Sequence, residues 1–206
     1  MSTGFFIVIE GGEGAGKSTQ AKMLEHHLKS RGYEVLLTRE PGGTPLAEKI
    51  RKILLDPELS NMPDTTEALL FAAARADHAQ NVIRPALSRG EIVICDRYID
   101  SSVAYQGYAR GLGPTRIRDI SEWATDSLVP DFTIYLDVSL DESLHRREGT
   151  DRMETQSVEF HTAVQAAFRE IAMTTSRPHE IFDGSIDKDD LAHLILAKLL
   201  EVLPSR

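Results

Sequence analysis

With a single cysteine, Cys95, among 206 residues, the chain can form no internal disulfide. Cys95 lies in the apolar run "EIVICD" and reads as a small buried hydrophobe. Basic residues are also in short supply: 23 Lys and Arg face 32 Asp and Glu, for a formal net charge of −9. A general nucleic-acid or membrane binder wants a broad basic surface, so neither partner is expected, and an anionic ligand must be met by a local basic pocket. No apolar run approaches the roughly 20 residues of a membrane-spanning helix. No basic-plus-apolar leader precedes the first apolar stretch, and a cytoplasmic protein is the expectation. Internal repeats and low-complexity linkers are lacking, and the 7 histidines show no metal-ligand spacing. His26 and His27 are expected on the surface of the first helix.

What the chain does have is short apolar runs alternating with longer amphipathic ones. "FFIVIE" (5–10), "EVLLT" (34–38), "EIVIC" (91–95), "FTIYLD" (132–137) and "HEIF" (179–182) read as strands, apolar enough to be covered on both faces. Helical patterns lie between them. They are "KSTQAKMLEHHLKSRG" stopping at Gly32, "TPLAEKIRKILL", a long run over 65–90 that Pro85 kinks or divides, "PTRIRDISEWATDSL", a helix over about 157–176, and "DKDDLAHLILAKLLEVL". Strands separated by helices give βαβ units. The predicted fold is α/β: a doubly wound parallel sheet of about five strands, helices on both faces, within a single domain over 1–206. Ligands are expected at the carboxyl ends of the strands. The segments 55–64 and 106–114 read as irregular loops bordering a site.

The stretch "IVIEGGEGAGKSTQAKML" meets the pattern G-x-x-x-x-G-K-[ST] with Gly11, Gly16, Lys17 and Ser18. It follows an apolar strand and opens an amphipathic helix, the context in which this loop cradles phosphates. Glycines let successive backbone N–H groups turn inward, and the helix N-terminus favours an anion. Residues Gly11, Gly12, Glu13, Gly14, Ala15, Gly16, Lys17, Ser18 and Thr19 are therefore predicted to bind a nucleoside triphosphate. Lys17 reaches the β- and γ-phosphates, and Ser18 offers a hydroxyl to Mg²⁺. Two strands end in aspartate, Asp96 and Asp137, and either can supply the supporting carboxylate. Asp96 is preferred as the metal residue, because Arg97 follows it and pairs a metal carboxylate with a phosphate guanidinium.

Further along, the sequence resembles the bacterial thymidylate kinases over nearly its whole length, making it a P-loop protein of the nucleoside monophosphate kinase kind. The resemblance rests on "EGGEGAGKST", "TREPGGTPLAEKIRKILLD", "FAAARADH", "CDRYIDSSVAYQGYARGLG", "PDFTIYLDVSLDESLHRR" and "DRME". It implies ATP and dTMP as substrates, Mg²⁺ as cofactor, ADP and dTDP as products, and a homodimer, with the apolar helix around 66–76 as a candidate surface. It also implies roles for single residues. Phe71 would stack on the base and Arg75, one turn on, would bond a thymine carbonyl; their i, i+4 spacing puts both on one helix face. Arg97 would clamp the monophosphate. Ser102, Tyr105 and Gln106 would wall the base and sugar, Glu13 would meet the 3′-hydroxyl, and Arg39 and Glu40 would border the acceptor phosphate.

The segment "HRREGTDRME" resembles the family's mobile lid, at about 145–154, and carries Arg146, Arg147 and Arg152. Some thymidylate kinases place a basic residue inside the glycine loop, where this chain has Gly14. The transition-state arginine is therefore expected from the lid, with the choice among the three open. An ionised phosphate acceptor needs no general base. Lys17, Arg97 and the lid arginines need only align two anions and neutralise spreading charge. A deoxynucleoside kinase acting on thymidine is the near alternative, and would make Glu40 the base. A GTP-dependent switch is another, but the chain lacks an N/T-K-x-D guanine-reading motif.

Overall fold

A computed structural model describes residues 4–146 and 151–204. The strands are β1 (Phe5–Gly11), β2 (Val35–Arg39), β3 (Ile92–Asp96), β4 (Phe132–Asp137) and β5 (His179–Asp183). They form one parallel sheet in the order β2-β3-β1-β4-β5. Each predicted strand is present within a residue of its expected bounds. The order reverses direction about β1, which leaves a crevice beyond the carboxyl ends of β1, β3 and β4. The register brings Ile9 opposite Asp96, Arg39 opposite Asp96 and Gly11 opposite Leu136.

The period of two along β1 divides its side chains between the faces. Ile7 and Ile9 join Leu24 and Leu28 of α1 (Lys17–Ser30) and Leu191, Ile195 and Leu199 of α9 (Lys188–Val202). Phe6 and Val8 join the opposite cluster. That cluster is roofed by α3 (Asp64–His78), α4 (Arg84–Ser88), α5 (Ile99–Ser102), α6 (Pro114–Ala124) and α8 (Val158–Thr174). Cys95 is fully buried there, as expected. Each such Leu, Ile or Phe contributes about 1.5–3 kcal/mol on burial, so both faces hold the sheet firmly. A smaller cluster of Ala47, Ile50, Leu54 and Ala74 binds α2 (Pro45–Leu55) to α3. Helix α7 (Leu140–His145) follows β4.

Helix ends follow local chemistry. Thr44 caps α2 by accepting from Ala47 N at 2.9 Å, with Pro45 as the first helical residue. Ser157 caps α8 and Asp187 caps α9. Gly32, at φ +80°, ends α1 as expected.

The long run is divided at Pro85 as expected, and one other segment differs from the sequence reading. Pro85 sits inside α4, and the disturbance falls just before it: Ala79–Ile83 form a widened π-type turn joining α3 to α4. Proline lacks an N–H and its ring crowds the carbonyl four residues back, at Asn81, so the preceding turn opens. The expected loop 106–114 begins as helix. Val103–Ala109 continue α5 as a second π-type turn, and irregular chain returns only at Arg110–Gly113. Gly107 permits the packing, since a Cβ there would lie 2.9 Å from Pro114 Cα. Among the described residues no helix is long and apolar enough to cross a membrane.

Candidate active site

Beyond β1 the glycine loop turns through positive φ at Gly11 (+145°), Gly14 (+69°) and Gly16 (+87°). A Cβ at Gly11 would lie 2.5 Å from Leu136 O, and one at Gly14 would lie 2.5 Å from Ser143 O. The position where some relatives carry a basic side chain is thus closed to any side chain by φ and by α7. Ser143 Oγ donates to Glu13 O at 2.6 Å and ties α7 to the loop. Lys17 is buried and donates to Gly12 O at 2.6 Å. Burial and the Arg97 charge bring its ammonium down to about 8, against the raising influence of Glu13, Asp96 and Glu10.

Ser18 donates its hydroxyl hydrogen to Asp96 Oδ2, while the other oxygen of Asp96 is buried without a hydrogen-bond partner. Asp137 is half-exposed at the end of β4 and pairs with Arg169 at 3.0 Å instead. Of the two strand-end aspartates, Asp96 is the one beside the loop hydroxyl.

Next to Asp96, Arg97 adopts φ +70°, a left-handed conformation that costs a non-glycine residue free energy. Its guanidinium is gripped on all sides. Nη1 donates to Gly11 O at 3.0 Å and Ser101 Oγ at 3.1 Å; Nη2 donates to Glu13 Oε1 at 2.6 Å and Tyr105 Oη at 3.3 Å. It also lies 5.2 Å from the centroid of the Tyr105 ring. Burial works against its charge, but Glu13 and its other neighbours hold it firmly protonated. For Glu13, burial alone would raise the carboxyl; Arg97, Lys17 and the Tyr105 hydroxyl override it and bring it down to about 2. Tyr105 is itself held un-ionised by burial.

These groups floor a cavity of about 240 Å³ whose walls include Phe71, Arg75, Ser102 and Gln106. Phe71 and Arg75 thus share one face, as their spacing predicted. Arg75 is only 2% exposed, and protein atoms take four of its N–H directions: Glu40 Oε2 at 2.7 Å, and Ser121 Oγ, Tyr98 O and Ser102 Oγ, each at 3.0 Å. One N–H remains for a ligand acceptor. One N–H of the Gln106 amide donates to Glu67 Oε1 at 2.9 Å, which leaves its carbonyl oxygen and its second N–H for other partners. A donor and an acceptor face a half-buried aromatic ring, which suits a flat heterocycle. Glu40 is buried, with one oxygen on Arg75 and the other 3.0 Å from His78 Nδ1. His78 Nε2 meets Thr38 Oγ1 at 2.7 Å.

A family model described as thymidylate kinase matches residues 9–187. The chain belongs to the thymidylate kinase family. The thymidylate kinase of Symbiobacterium thermophilum is 46% identical over 203 residues, covering 98% of this chain and 95% of that one. That of Geotalea uraniireducens is 43% identical over 206 residues, covering 96% and 97%. A crystal structure of thymidylate kinase from Ehrlichia chaffeensis superposes with a TM-score of 0.79 at 34% identity, covering 96% of this chain and 99% of that chain. Fold and family membership therefore agree across nearly the full length.

Within this family member the expected lid arginines part company. Arg147 lies outside the described residues. Arg146, just past α7, donates from Nη1 to Gly184 O at 2.8 Å and is exposed. Gly184 in turn abuts Ala15 of the glycine loop, so Arg146 stands near that loop. Arg152 does not. It is 2% exposed, with Nη1 2.6 Å from Glu67 Oε2 and Nε donating to Leu54 O at 2.8 Å. Of the three lid arginines left open above, this one is paired with the fully buried Glu67. From the same stretch, Asp151, Met153 and Glu154 reach the cavity instead.

Sequence reasoning also missed Arg51 and Leu55, one helical turn apart on α2, which line the cavity beside Arg39. Arg51 Nη1 donates to Pro41 O at 2.9 Å, and Arg39 Nη2 reaches both oxygens of Glu48 at 3.1 Å. Burial, then the neighbouring Arg39 charge, makes the Arg51 proton easier to lose than usual, a strain that an anion would relieve. The one available signal was an arginine set four residues before a leucine, next to the apolar column Ala47, Ile50 and Leu54.

Proposed function

We propose that the protein transfers the γ-phosphoryl group of ATP to thymidine 5′-monophosphate, giving ADP and dTDP. The observation that carries this reading is the placement of Arg97. It stands between the glycine loop, where a donor phosphate lodges, and a cavity whose base end offers an aromatic ring, one donor and one acceptor. In the proposed mode Lys17 and the loop amides hold the β- and γ-phosphates. Arg97, with Arg39 and Arg51, holds the acceptor phosphate in line. Phe71 stacks on thymine, the remaining Arg75 N–H meets a ring carbonyl, and the Gln106 carbonyl oxygen accepts from the ring N–H. Glu13 exchanges part of its Arg97 contact for the sugar hydroxyl. Tyr105, un-ionised and packed against the guanidinium, borders the deoxyribose with Ser102.

The acceptor oxygen is already ionised, so no residue need remove a proton. Spreading charge is met by Lys17, Arg97 and a lid arginine, Arg146 or Arg147, as the segment 145–154 closes over ATP. The residues present also fit Mg²⁺. A hydroxyl and a carboxylate with one unpartnered buried oxygen are hard donors, and that ion is usually completed by phosphates and water. Ser18 and Asp96 would hold it there, and it would neutralise phosphate charge.

The thymidine-kinase alternative loses its base, since both oxygens of Glu40 are engaged by Arg75 and His78. The reading includes a single catalytic domain, a cytoplasmic location and no nucleic-acid or membrane partner, in keeping with the net charge of −9. A homodimer is proposed as well. Leu69 on α3, with Leu46 and Ile53 on α2, is exposed and apolar, and suits a second copy of this chain.

The deciding experiment is ADP release with ATP and Mg²⁺ against no acceptor, thymidine, dTMP, dUMP, dCMP, dGMP and dAMP, with the product identified by chromatography. dTMP-dependent turnover lost in Lys17→Ala is expected. Turnover with thymidine alone would move the enzyme to nucleoside phosphorylation, and none with any acceptor would overturn the kinase reading.

A further inference from the structure

Glu10 breaks the pattern of β1. Alternation puts it on the face of Phe6 and Val8, where an apolar residue belongs, yet it is a fully buried carboxylate. It does not line the cavity, so it touches neither proposed substrate. Its partners lie just past Asp96, across the sheet. Oε1 accepts from Tyr98 N at 2.9 Å and Ser101 N at 3.1 Å, and Oε2 accepts from Ser101 Oγ at 2.6 Å. Ser101 Oγ in turn accepts from Arg97 Nη1 at 3.1 Å. The Arg97 amide completes the attachment by donating to Ile9 O at 3.0 Å.

We infer that Glu10 is a positioning residue for the acceptor half of the site, holding the left-handed backbone of Arg97, and through Ser101 its guanidinium, in place. The inference rests on the reading of Arg97 as the acceptor-phosphate clamp. The same carboxylate receives the N–H of Tyr98, just before α5, and that of Ser101 in its only turn, and the continuation of α5 through 103–109 carries Tyr105 and Gln106. One buried group therefore sets the phosphate clamp and the sugar and base wall together. An apolar residue at this position would pack against Phe6 and Val8 but leave two backbone N–H groups without a partner.

The surroundings show that this arrangement is costly. Burial, then the Asp100 charge, pushes the Glu10 carboxyl up to about 7, against the Ser101 hydroxyl, Arg97 and the Tyr98 N–H. The other groups facing it are Lys17 on α1, Cys95 on β3, and Tyr135 opposite it on β4. Asp100 accepts from Arg118 Nη2 at 3.0 Å and from Tyr135 Oη at 2.6 Å. A carboxyl raised from 4.5 stabilises the fold fully only below that value, and the contribution is lost as pH rises through about 7. An ionised Glu10 is thus a stability cost in the working range, retained for geometry.

The test compares wild type, Glu10→Gln, Glu10→Ala and Ser101→Ala at about pH 8, above the Glu10 transition. KM for dTMP is measured at saturating ATP, KM for ATP at saturating dTMP, and melting temperature beside both. Glu10→Gln should raise KM for dTMP about tenfold while moving KM for ATP less than about twofold. Its melting temperature should stand at or above wild type, because the buried charge is gone. Glu10→Ala, which orphans the Tyr98 and Ser101 amides, should show a larger KM effect and a lower melting temperature. Ser101→Ala should reproduce part of the dTMP effect by cutting the link to Arg97. An unchanged KM for dTMP in Glu10→Gln overturns the inference, as does an equal rise in both KM values with a fallen melting temperature. Those results arise with an active wild type; a wild type without dTMP turnover would remove the proposed function and this inference with it.

Discussion

Arg97 Nη2 lies 2.6 Å from Glu13 Oε1, and this contact bridges the glycine loop and the acceptor cavity across 84 residues of sequence. The guanidinium sits on a backbone at φ +70°, so the chain tolerates strain to aim it. Two substitutions separate aim from strain. Arg97→Ala and Arg97→Gly should both lower kcat/KM for dTMP by about 100-fold or more, since each removes a charged donor from the phosphates. Glycine accepts positive φ and alanine does not, so Arg97→Gly should be the more stable of the two by about 1 kcal/mol. Urea unfolding of the pair beside dTMP kinetics checks both statements. Equal stabilities would mean that the left-handed turn carries no strain.

The partner of that contact makes a prediction about acid. Glu13 is brought from 4.5 to about 2, so it contributes stability that is present above the ordinary carboxylate value and lost as pH falls towards about 2. The shift corresponds to at most about 3 kcal/mol near neutral pH. Glu13→Gln should therefore unfold at lower urea than wild type at about pH 7, and the gap should narrow steadily between about pH 4.5 and 3. A gap independent of pH would show that the Arg97 pairing does not depend on the Glu13 charge. In the same variant KM for dTMP should rise, because Arg97 then loses its orienting charge.

What was legible in the sequence follows a physical division. Apolar runs of four to six residues between amphipathic stretches specify strands and helices by periodicity alone, so all five strands lie within a residue of expectation. The glycine loop was legible because its function requires residue types that few other roles require. That Phe71 and Arg75 line one cavity was legible because both lie on one helix, where spacing fixes direction. Arg51, Glu10 and the turn at Val103–Ala109 were not legible, and for one reason. Each depends on a partner outside its own element: Pro41 O for Arg51, the Tyr98 and Ser101 amides for Glu10, and Pro114 packed on Gly107 for the turn. The pairing of Arg152 was hidden as well, since nothing local reveals that Glu67, 85 positions earlier, meets it.

That pair yields the last prediction. Glu67 is fully buried and meets Arg152 Nη1 at 2.6 Å, Arg110 Nη2 at 3.2 Å and Gln106 Nε2 at 2.9 Å. Hydrogen bonds from Gln106 and Arg110, with the arginine charges, outweigh burial and keep its carboxyl below the usual range. Removing Arg152 leaves part of that buried charge uncompensated, which costs about 3 kcal/mol by the logic of a broken buried pair. Arg152→Met should therefore lose that much stability and should raise KM for dTMP, because Glu67 also holds the Gln106 amide. Its kcat at saturating substrates should fall by less than about tenfold, since the guanidinium is directed away from the phosphates. A fully stable Arg152→Met with kcat reduced about 100-fold and KM unchanged would mean the opposite: Arg152 leaves Glu67 during turnover and acts at the transferred phosphoryl group. Lower stability with a raised KM would leave Arg146 or Arg147 as the arginine acting there.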